Sequence, residues 1–181
     1  PYNAKRVHYN FRFFWDYSGG QMTNFGAHSN DLAQWGNGTE LTGPITAEGT
    51  AVYEPHGWYE VPMTSEATLT YANGVRLICK TGGPPGALFE GTEGKILCGY
   101  SKMVCDPPDI AKEPLGPNDV HLYRSTDHHG DWANCIRTRK RPICDVEIGH
   151  RSATVCHLAN IAIRLKRKIR WDPDKEEIIG D

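Results

Sequence analysis

The sequence lacks several features that would point directly to a partner. No apolar run approaches the ~20 residues that a membrane-spanning helix needs, and the N-terminus does not resemble a signal peptide. The formal net charge of −2 over 181 residues provides no broad positive field of the kind that binds a phosphate backbone or an anionic lipid surface. We therefore expect neither nucleic acid nor a membrane as a partner.

Metal-binding patterns are also absent from the sequence. The six cysteines form no C-x-x-C pair and no Cys/His cluster at zinc-finger spacing. His121, His128 and His129 have no carboxylate or cysteine partner at a diagnostic spacing. We predict no metal site. We interpret Cys79 and Cys98, which fall in strand-like runs, and Cys135 and Cys156, which fall in helix-like runs, as small buried thiols of a reducing compartment, with disulfides as the alternative.

The middle part of the sequence contains short apolar runs separated by turn residues. The strongest turn signal is Asn73-Gly74, because both residues tolerate the positive φ that a tight hairpin requires. Adjacent hairpins predict an antiparallel or mixed sheet built from residues 44–105. The strand candidates are residues 45–53, 67–71, 75–80, 87–90 and 95–100.

Apolar residues at helical spacing lie on both sides of this middle part. They predict helices near residues 21–35, 123–139 and 147–166, followed by a short strand around Ile169 and Trp171. Strands grouped between helices indicate an α+β fold, a largely antiparallel open sheet with helices covering one face. The other face would expose aromatic and β-branched residues, so we predict that it forms a homo-oligomer interface.

The last predicted helix carries two polar features that we interpret as structural. A basic run from Arg164 to Arg170 ends its apolar pattern, where cations complement the negative end of the helix dipole. His150 and His157 are seven residues apart and share a face, which is typical of helix packing or of a subunit contact.

A row of polar residues on the first predicted helix is the leading candidate for catalysis. Asn24, His28 and Asp31 are four and three residues apart, so on a helix they lie on one face. Histidine is the side chain best matched to proton transfer near neutral pH. His28 is therefore the candidate acid or base. The alternative is a structural or solvated histidine on the helix flank.

The aromatic segment before this helix, residues 1–18, has an alternating pattern that favours a strand or an ordered loop. Arg12, Trp15, Asp16 and Tyr17 combine a cation, a carboxylate and flat apolar rings, a set suited to a polyhydroxylated ring. They are the candidate substrate-binding residues. The alternative is an amphipathic strand packed under the sheet.

Four blocks of the sequence, in order, resemble the C-terminal domain of the Gfo/Idh/MocA oxidoreductases. The first is the family's G-G-x-x-x-D-x-x-x-H-x-x-D pattern, matched by Gly19, Gly20, His28 and Asp31, with Asn24 where the family has Asp. Residues 89–94 resemble a turn in the family's sheet, and residues 131–137 resemble its helix before the last segment. Residues 146–154 and 160–162 resemble the C-terminal part of a bacterial branch of the family whose members are often exported.

This resemblance implies a two-domain NAD(P)-dependent enzyme acting on a hydroxyl of a sugar, sugar derivative or cyclic polyol such as inositol. Residues 1–181 would be its C-terminal substrate-binding and oligomerisation domain, similar to that of dihydrodipicolinate reductase. An N-terminal Rossmann domain would bind NAD or NADP and supply a catalytic Lys. The chain begins at Pro1 and has no G-x-G-x-x-G after a strand, so we expect that domain, and any export signal, to lie outside it. Lys112-Glu113-Pro114 lies in a proline-rich loop and is not the family's Glu-Lys-Pro.

By the same resemblance, His28 exchanges a proton with the sugar hydroxyl while hydride passes to or from the nicotinamide. Two other functions stay open at this point. One is a lyase or glycoside-cleaving relative that oxidises the sugar only transiently. The other is a non-catalytic scaffold or ligand-binding domain whose sheet serves assembly.

The asparagine at position 24 departs from the family pattern. A carboxylate beside an imidazole stabilises its protonated form, whereas a neutral amide supplies no charge. Three alternatives follow. Asp31 or Asp16 supplies the charge, or His28 works as a neutral hydrogen-bond partner, or the hydride-transfer reaction itself is modified.

Overall fold

The computed structural model describes residues 2–83 and 85–180, which contain three α-helices and eight β-strands. The helices are α1 (Phe25–Gly36), α2 (His128–Thr138) and α3 (Val146–Leu165). The strands, in chain order, are β1 (Thr46–Val52), β2 (Thr64–Thr70), β3 (Arg76–Lys80), β4 (Ala87–Glu90), β5 (Lys95–Cys98), β6 (Met103–Asp106), β7 (Ile169–Asp172) and β8 (Glu177–Ile178).

The larger sheet has five strands in the order β3-β2-β1-β7-β8, and every neighbouring pair is antiparallel. The predicted hairpin at Asn73-Gly74 is confirmed. Gly74 has a φ of 86°, and Thr70 pairs with Arg76 across the turn. The short strand predicted around Ile169 is also confirmed as β7, which joins the sheet beside β1.

Helix α3 covers one face of the five-stranded sheet. Apolar side chains alternate along the strands and meet the apolar stripe of the helix, so both sides of this contact are fully buried. The prediction of an α+β fold with helices on one sheet face is confirmed. The buried set comprises Ala47, Ala67, Leu69, Cys79 and Ile169 from the sheet, and Val155, Leu158, Ala159, Ala162 and Ile163 from α3.

The open face of this sheet differs from the predicted one. Strands β1 to β3 contain no aromatic residue, and the open face presents threonines and charged side chains such as Glu48, Thr50 and Glu66. Lys168 pairs with Glu48 there at 3.1 Å. The expectation of β-branched residues on this face was right and the expectation of aromatic residues was wrong.

Strands β4, β5 and β6 form a separate antiparallel sheet, whereas the sequence predicted a single one. Gly82, Gly83 and Gly86 all have positive φ, so the chain leaves the direction of β3 before β4 begins. The sequence reading also missed β6, a four-residue strand that pairs with β5. One face of this sheet packs on α1, where the ring of Phe89 leaves no room for a Cβ atom on Gly36.

Helix α2 begins at His128, five residues later than predicted, because Asp127 caps it by accepting a hydrogen bond from the backbone N–H of His129. Its other anchors are the adjoining loops. Asp131 accepts hydrogen bonds from the Tyr123 hydroxyl at 2.7 Å and from the backbone N–H of Ile143 at 3.1 Å. Helix α3 packs on β1 and β2, and α1 packs on α3, whereas α2 forms no comparable contact with a strand among the described residues, so the covering role predicted for α2 was wrong.

Candidate functional site

The aromatic N-terminal segment folds as a 3-10 helix, His8–Phe13, followed by turns, so the ordered-loop reading is correct and the strand reading is not. The rings of Phe13 and Phe14 are buried, and Phe13 packs on Tyr59 with ring centroids 4.6 Å apart. The carbonyl of Phe13 accepts a hydrogen bond from the backbone N–H of Glu60 at 3.0 Å. These contacts fix the segment against a distant loop.

The glycine pair that follows lets the chain press against α3. Gly20 has a φ of 72°, which favours glycine. Asn160, buried on α3, donates a hydrogen bond from Nδ2 to the carbonyl of Gly19 at 2.9 Å. A Cβ on Gly19 would lie 2.6 Å from both Asn160 Nδ2 and Thr23 Cγ2. Glycine is therefore required where this loop meets the helix.

An open cleft of about 690 Å³ lies between this loop and α3. Three of the four predicted substrate-binding residues, Trp15, Asp16 and Tyr17, line it together. The rest of the lining comes from the glycine turn and from α3; it consists of Ser18, Gly19, Thr23, His157, Asn160, Ile161 and Arg164.

The fourth predicted residue, Arg12, does not line the cleft. Its Nε donates a hydrogen bond to the carbonyl of Tyr9 at 2.8 Å, and its guanidinium lies 3.9 Å from the centre of the Tyr9 ring. Arg12 therefore belongs to the 3-10 helix rather than to the loop wall.

A different arginine, Arg6, holds the loop wall in place. Its guanidinium lies 3.3 Å from carboxylate oxygens of both Asp16 and Glu60, and it stacks 4.4 Å from the centre of the Phe14 ring. Glu60 also accepts a hydrogen bond from the backbone N–H of Trp15 at 3.0 Å. Asp16 therefore faces the cleft with its charge already paired.

The second wall is a row on α3 that the sequence reading did not assign to the site. His157, Asn160, Ile161 and Arg164 have the spacing i, i+3, i+4 and i+7, which places them on one helix face. The Arg164 guanidinium lies 4.6 Å from the centre of the Trp15 ring, so a residue of the helix wall meets a residue of the loop wall. The spacing could have revealed this row, but Arg164 was interpreted only as part of the basic run.

The predicted catalytic row is only partly assembled. His28 is exposed on α1, with its ring 6.4 Å from that of Phe25 and 5.9 Å from that of Tyr100. Asn24 immediately precedes the helix and donates from Nδ2 to Gln21 Oε1 at 3.4 Å, while Asp31 accepts a hydrogen bond from the Ser152 hydroxyl at 2.6 Å. Within the described part of the chain, no hydrogen bond joins His28 to either residue, and none of the three lines the cleft.

The family described as the oxidoreductase family, C-terminal alpha/beta domain, Gfo/Idh/MocA type, matches the sequence over residues 1–181. The chain belongs to this family. The resemblance that the four sequence blocks indicated is thereby confirmed. A comparison with curated proteins gives no match.

Solved structures share the fold of this Gfo/Idh/MocA domain at low sequence identity. The WlbA dehydrogenase from Bordetella pertussis, in complex with NADH and UDP-GlcNAcA, is 17% identical with a TM-score of 0.59 over 89% of this chain and 48% of its own. The aldose-aldose oxidoreductase from Caulobacter crescentus, complexed with glycerol, is 16% identical with a TM-score of 0.60 over 85% and 48%. GenD2 from gentamicin A biosynthesis, in complex with NAD, is 12% identical with a TM-score of 0.56 over 92% and 52%. The chain thus spans about half the length of these proteins.

The described part of the Gfo/Idh/MocA domain has no site for the pyrophosphate of a dinucleotide. A pyrophosphate cradle needs a glycine-rich turn that leads from a strand into a helix N-terminus. Among the described residues no glycine-rich turn leads from a strand into a helix, and Gly19-Gly20 follows a loop rather than a strand. These residues do not fit the pyrophosphate of NAD or NADP.

Residues 2–83 and 85–180 of the domain contain neither a metal-binding cluster nor a membrane-spanning helix. No group of three or more His, Cys, Asp or Glu side chains is arranged to hold a metal ion. No helix in these residues combines the length and the apolar character that crossing a membrane requires.

The prediction of buried thiols is confirmed for Cys79, Cys135 and Cys156, whereas Cys98 is only partly buried. Cys79 and Cys156 lie beside α1 rather than in the cleft. Asn30 accepts a hydrogen bond from the Cys79 thiol at 3.1 Å and donates one to Cys156 Sγ at 3.3 Å. Burial raises the pKa of Cys79 to about 12 and also raises the pKa of Cys156. Since the thiolate is the reactive form, neither thiol is suited to act as a nucleophile at neutral pH.

Proposed function

We propose that this chain is the substrate-binding part of an NAD(P)-dependent oxidoreductase that acts on a hydroxyl of a sugar, sugar derivative or cyclic polyol. The observation that carries the proposal is the cleft between the N-terminal loop and α3. Its walls combine two aromatic rings, Trp15 and Tyr17, with the carboxylate of Asp16 and the guanidinium of Arg164. Pockets for small molecules are built in this way, from apolar faces and a few convergent polar groups.

The fold relatives support the nicotinamide and sugar parts of the proposal. The Bordetella pertussis protein was solved with NADH and UDP-GlcNAcA, and the Caulobacter crescentus protein with glycerol. The described residues form no pyrophosphate cradle. We therefore place the NAD or NADP site in a further domain of the protein, the Rossmann domain implied by the family.

The cofactor would supply the hydride acceptor or donor, and the task of this chain is to bind the sugar and move the proton. We assign the proton transfer to His28, the exposed histidine of the family motif on α1. Asp31 is hydrogen-bonded to Ser152, and Asp16 is paired with Arg6. This arrangement supports the alternative in which His28 works without a carboxylate partner from this chain.

The test is a sugar-oxidation assay on the intact protein with NAD⁺ or NADP⁺ and a panel of aldoses, uronates and myo-inositol, followed by the absorbance of the reduced nicotinamide. We expect turnover of at least one of these classes. His28→Ala should lower kcat by ~10²–10⁴-fold, the usual contribution of a positioned acid or base.

The matched control is His128→Ala, which removes an exposed histidine from α2 and should leave kcat unchanged. Full activity in His28→Ala would remove this residue from the mechanism. Sugar consumption without net formation of reduced nicotinamide would favour the lyase or glycoside-cleaving alternative. Absence of both sugar and nicotinamide binding would favour the scaffold alternative.

A further inference from the structure

The charged side chains that line the cleft differ in whether they have an ion-pair partner. Asp16 is paired with Arg6, and Glu60, which also pairs with Arg6, lies behind the loop wall. In residues 2–83 and 85–180, Arg164 stacks on Trp15 and forms no ion pair. The cleft therefore contains one full positive charge whose own protein partner is an aromatic ring.

The geometry of Arg164 suits an anion that binds in the cleft. The contact with the Trp15 ring requires no hydrogen bond, so the N–H groups of the guanidinium can donate two parallel hydrogen bonds to a carboxylate or a phosphate. The Trp15 ring, whose centre lies 4.6 Å from the guanidinium carbon, restrains the Arg164 side chain, so less side-chain freedom is lost when an anion binds. His157 lies on the same helix face two turns earlier, at i−7, and adds a second donor to the same wall.

His28 does not line this cleft, so a group bound at Arg164 lies away from the hydroxyl that His28 would serve. Binding energy gained away from the reacting carbon helps to position that carbon relative to the catalytic group.

From these observations we infer that the substrate is an anionic sugar, whose carboxylate or phosphate group is bound in the cleft by Arg164, away from the reacting hydroxyl. The inference rests on the proposed function and names the substrate class of the same site.

The experiment measures binding rather than turnover, by isothermal titration calorimetry on the intact protein. The main probes are D-glucuronate and D-glucuronamide, which differ by one charge at nearly constant shape. D-Glucose 6-phosphate is the second anionic probe, and D-glucose is its neutral counterpart. We expect an anionic probe to bind roughly 10- to 100-fold more tightly than its neutral counterpart, the usual contribution of a charge-assisted hydrogen bond. The probe that does so, glucuronate or glucose 6-phosphate, identifies the anion as carboxylate or phosphate.

Three variants assign the preference to one residue. Arg164→Gln should abolish it, whereas Arg164→Lys should retain part of it because the charge remains and the planar fork is lost. The control is Arg137→Gln, since Arg137 is exposed and next to last in α2, as Arg164 is in α3. That variant should bind all four probes as the unmodified protein does.

Equal affinity for the charged and neutral members of both pairs would overturn the inference and leave the proposed function standing. A preference that survives in Arg164→Gln would also overturn it. If the protein binds none of the probes and no other sugar, both the inference and the proposed function fail.

Discussion

The two sheets of this domain have opposite relations to water. In the five-stranded sheet, Leu69 is 0% exposed, and Leu158 of the covering helix α3 is 1% exposed. In the three-stranded sheet, Leu88, Leu97 and Val104 lie side by side in register across the strands, yet Leu88 and Val104 are 56% and 46% exposed. The apolar side chains of the larger sheet are buried within the chain, whereas the smaller sheet exposes a row of apolar side chains to solvent.

The two sheets should therefore contribute to different properties, the larger one to the stability of the folded monomer and the smaller one to oligomer assembly. The first sheet gains its burial energy in the monomer, so substitutions there should act on folding. The row of Leu88, Leu97 and Val104 would gain burial only from a partner surface. The homo-oligomer predicted from the sequence stays a prediction, and the structure makes this row a sharper candidate for the interface than the threonine-rich face of the larger sheet.

The largest effect should come from the covered sheet. Leu158→Ala removes a fully buried side chain from the contact between α3 and the strands, and should lower the free energy of unfolding by ~2–5 kcal/mol. Urea denaturation followed by circular dichroism measures the change. The matched substitution Leu88→Ala should cost less than about 1 kcal/mol, since that side chain is already half in water. Equal losses in the two variants would abolish the contrast between the sheets.

The second prediction concerns assembly of the intact protein. Leu88→Asp places a charge in the apolar row and should shift the protein towards the monomer in light scattering at micromolar concentration. Thr50→Asp is the control, because Thr50 is exposed on the open face of the larger sheet. Dissociation by Thr50→Asp alone would assign the interface to the larger sheet, and a monomeric unmodified protein would contradict the prediction of an oligomer.

The third prediction uses the buried thiol of the covered sheet. Burial raises the pKa of Cys79 in the folded protein to about 12, above the value of about 9 expected in the unfolded chain. Its contribution to stability is therefore complete below about pH 9 and is lost as the pH rises towards 12. At pH 10 the loss should be on the order of 1 kcal/mol.

The measurement for this thiol is the unfolding free energy at pH 8 and at pH 10, compared between the unmodified protein and Cys79→Ala. The difference between the two pH values should be smaller in the variant. An identical pH dependence in both proteins would show that this thiol is not protected by burial.

The sequence predicted those parts of the fold that local signals determine. The Asn73-Gly74 turn and the apolar stripe of α3 are of this kind, and both are as expected. The 3-10 helix at His8–Phe13 was not predicted, because its conformation depends on a backbone hydrogen bond from Glu60, which lies far along the chain. The division into two sheets likewise depends on how the chain turns after β3, which apolar periodicity does not encode.

For the candidate site the sequence was informative about chemistry and less so about geometry. It selected Trp15, Asp16 and Tyr17, which do meet in one cleft. It placed Asn24 and His28 on one helix face, but α1 starts at Phe25, so the Asn24 side chain lies before the helix and turns to Gln21. Packing, and not the spacing of residues along the sequence, decides which distant residue each polar side chain contacts. The hydrogen bond between Asp31 and Ser152 is an example.

The most direct measurement of the central claim is a crystal structure of the intact protein with a bound nicotinamide cofactor and a sugar. We expect a sugar ring in the cleft, stacked on Trp15 and within hydrogen-bonding distance of Asp16 or Arg164, and a cofactor held by residues outside this chain. A cleft filled by another domain of the protein, or a sugar that contacts none of Trp15, Asp16 and Tyr17, would contradict the claim.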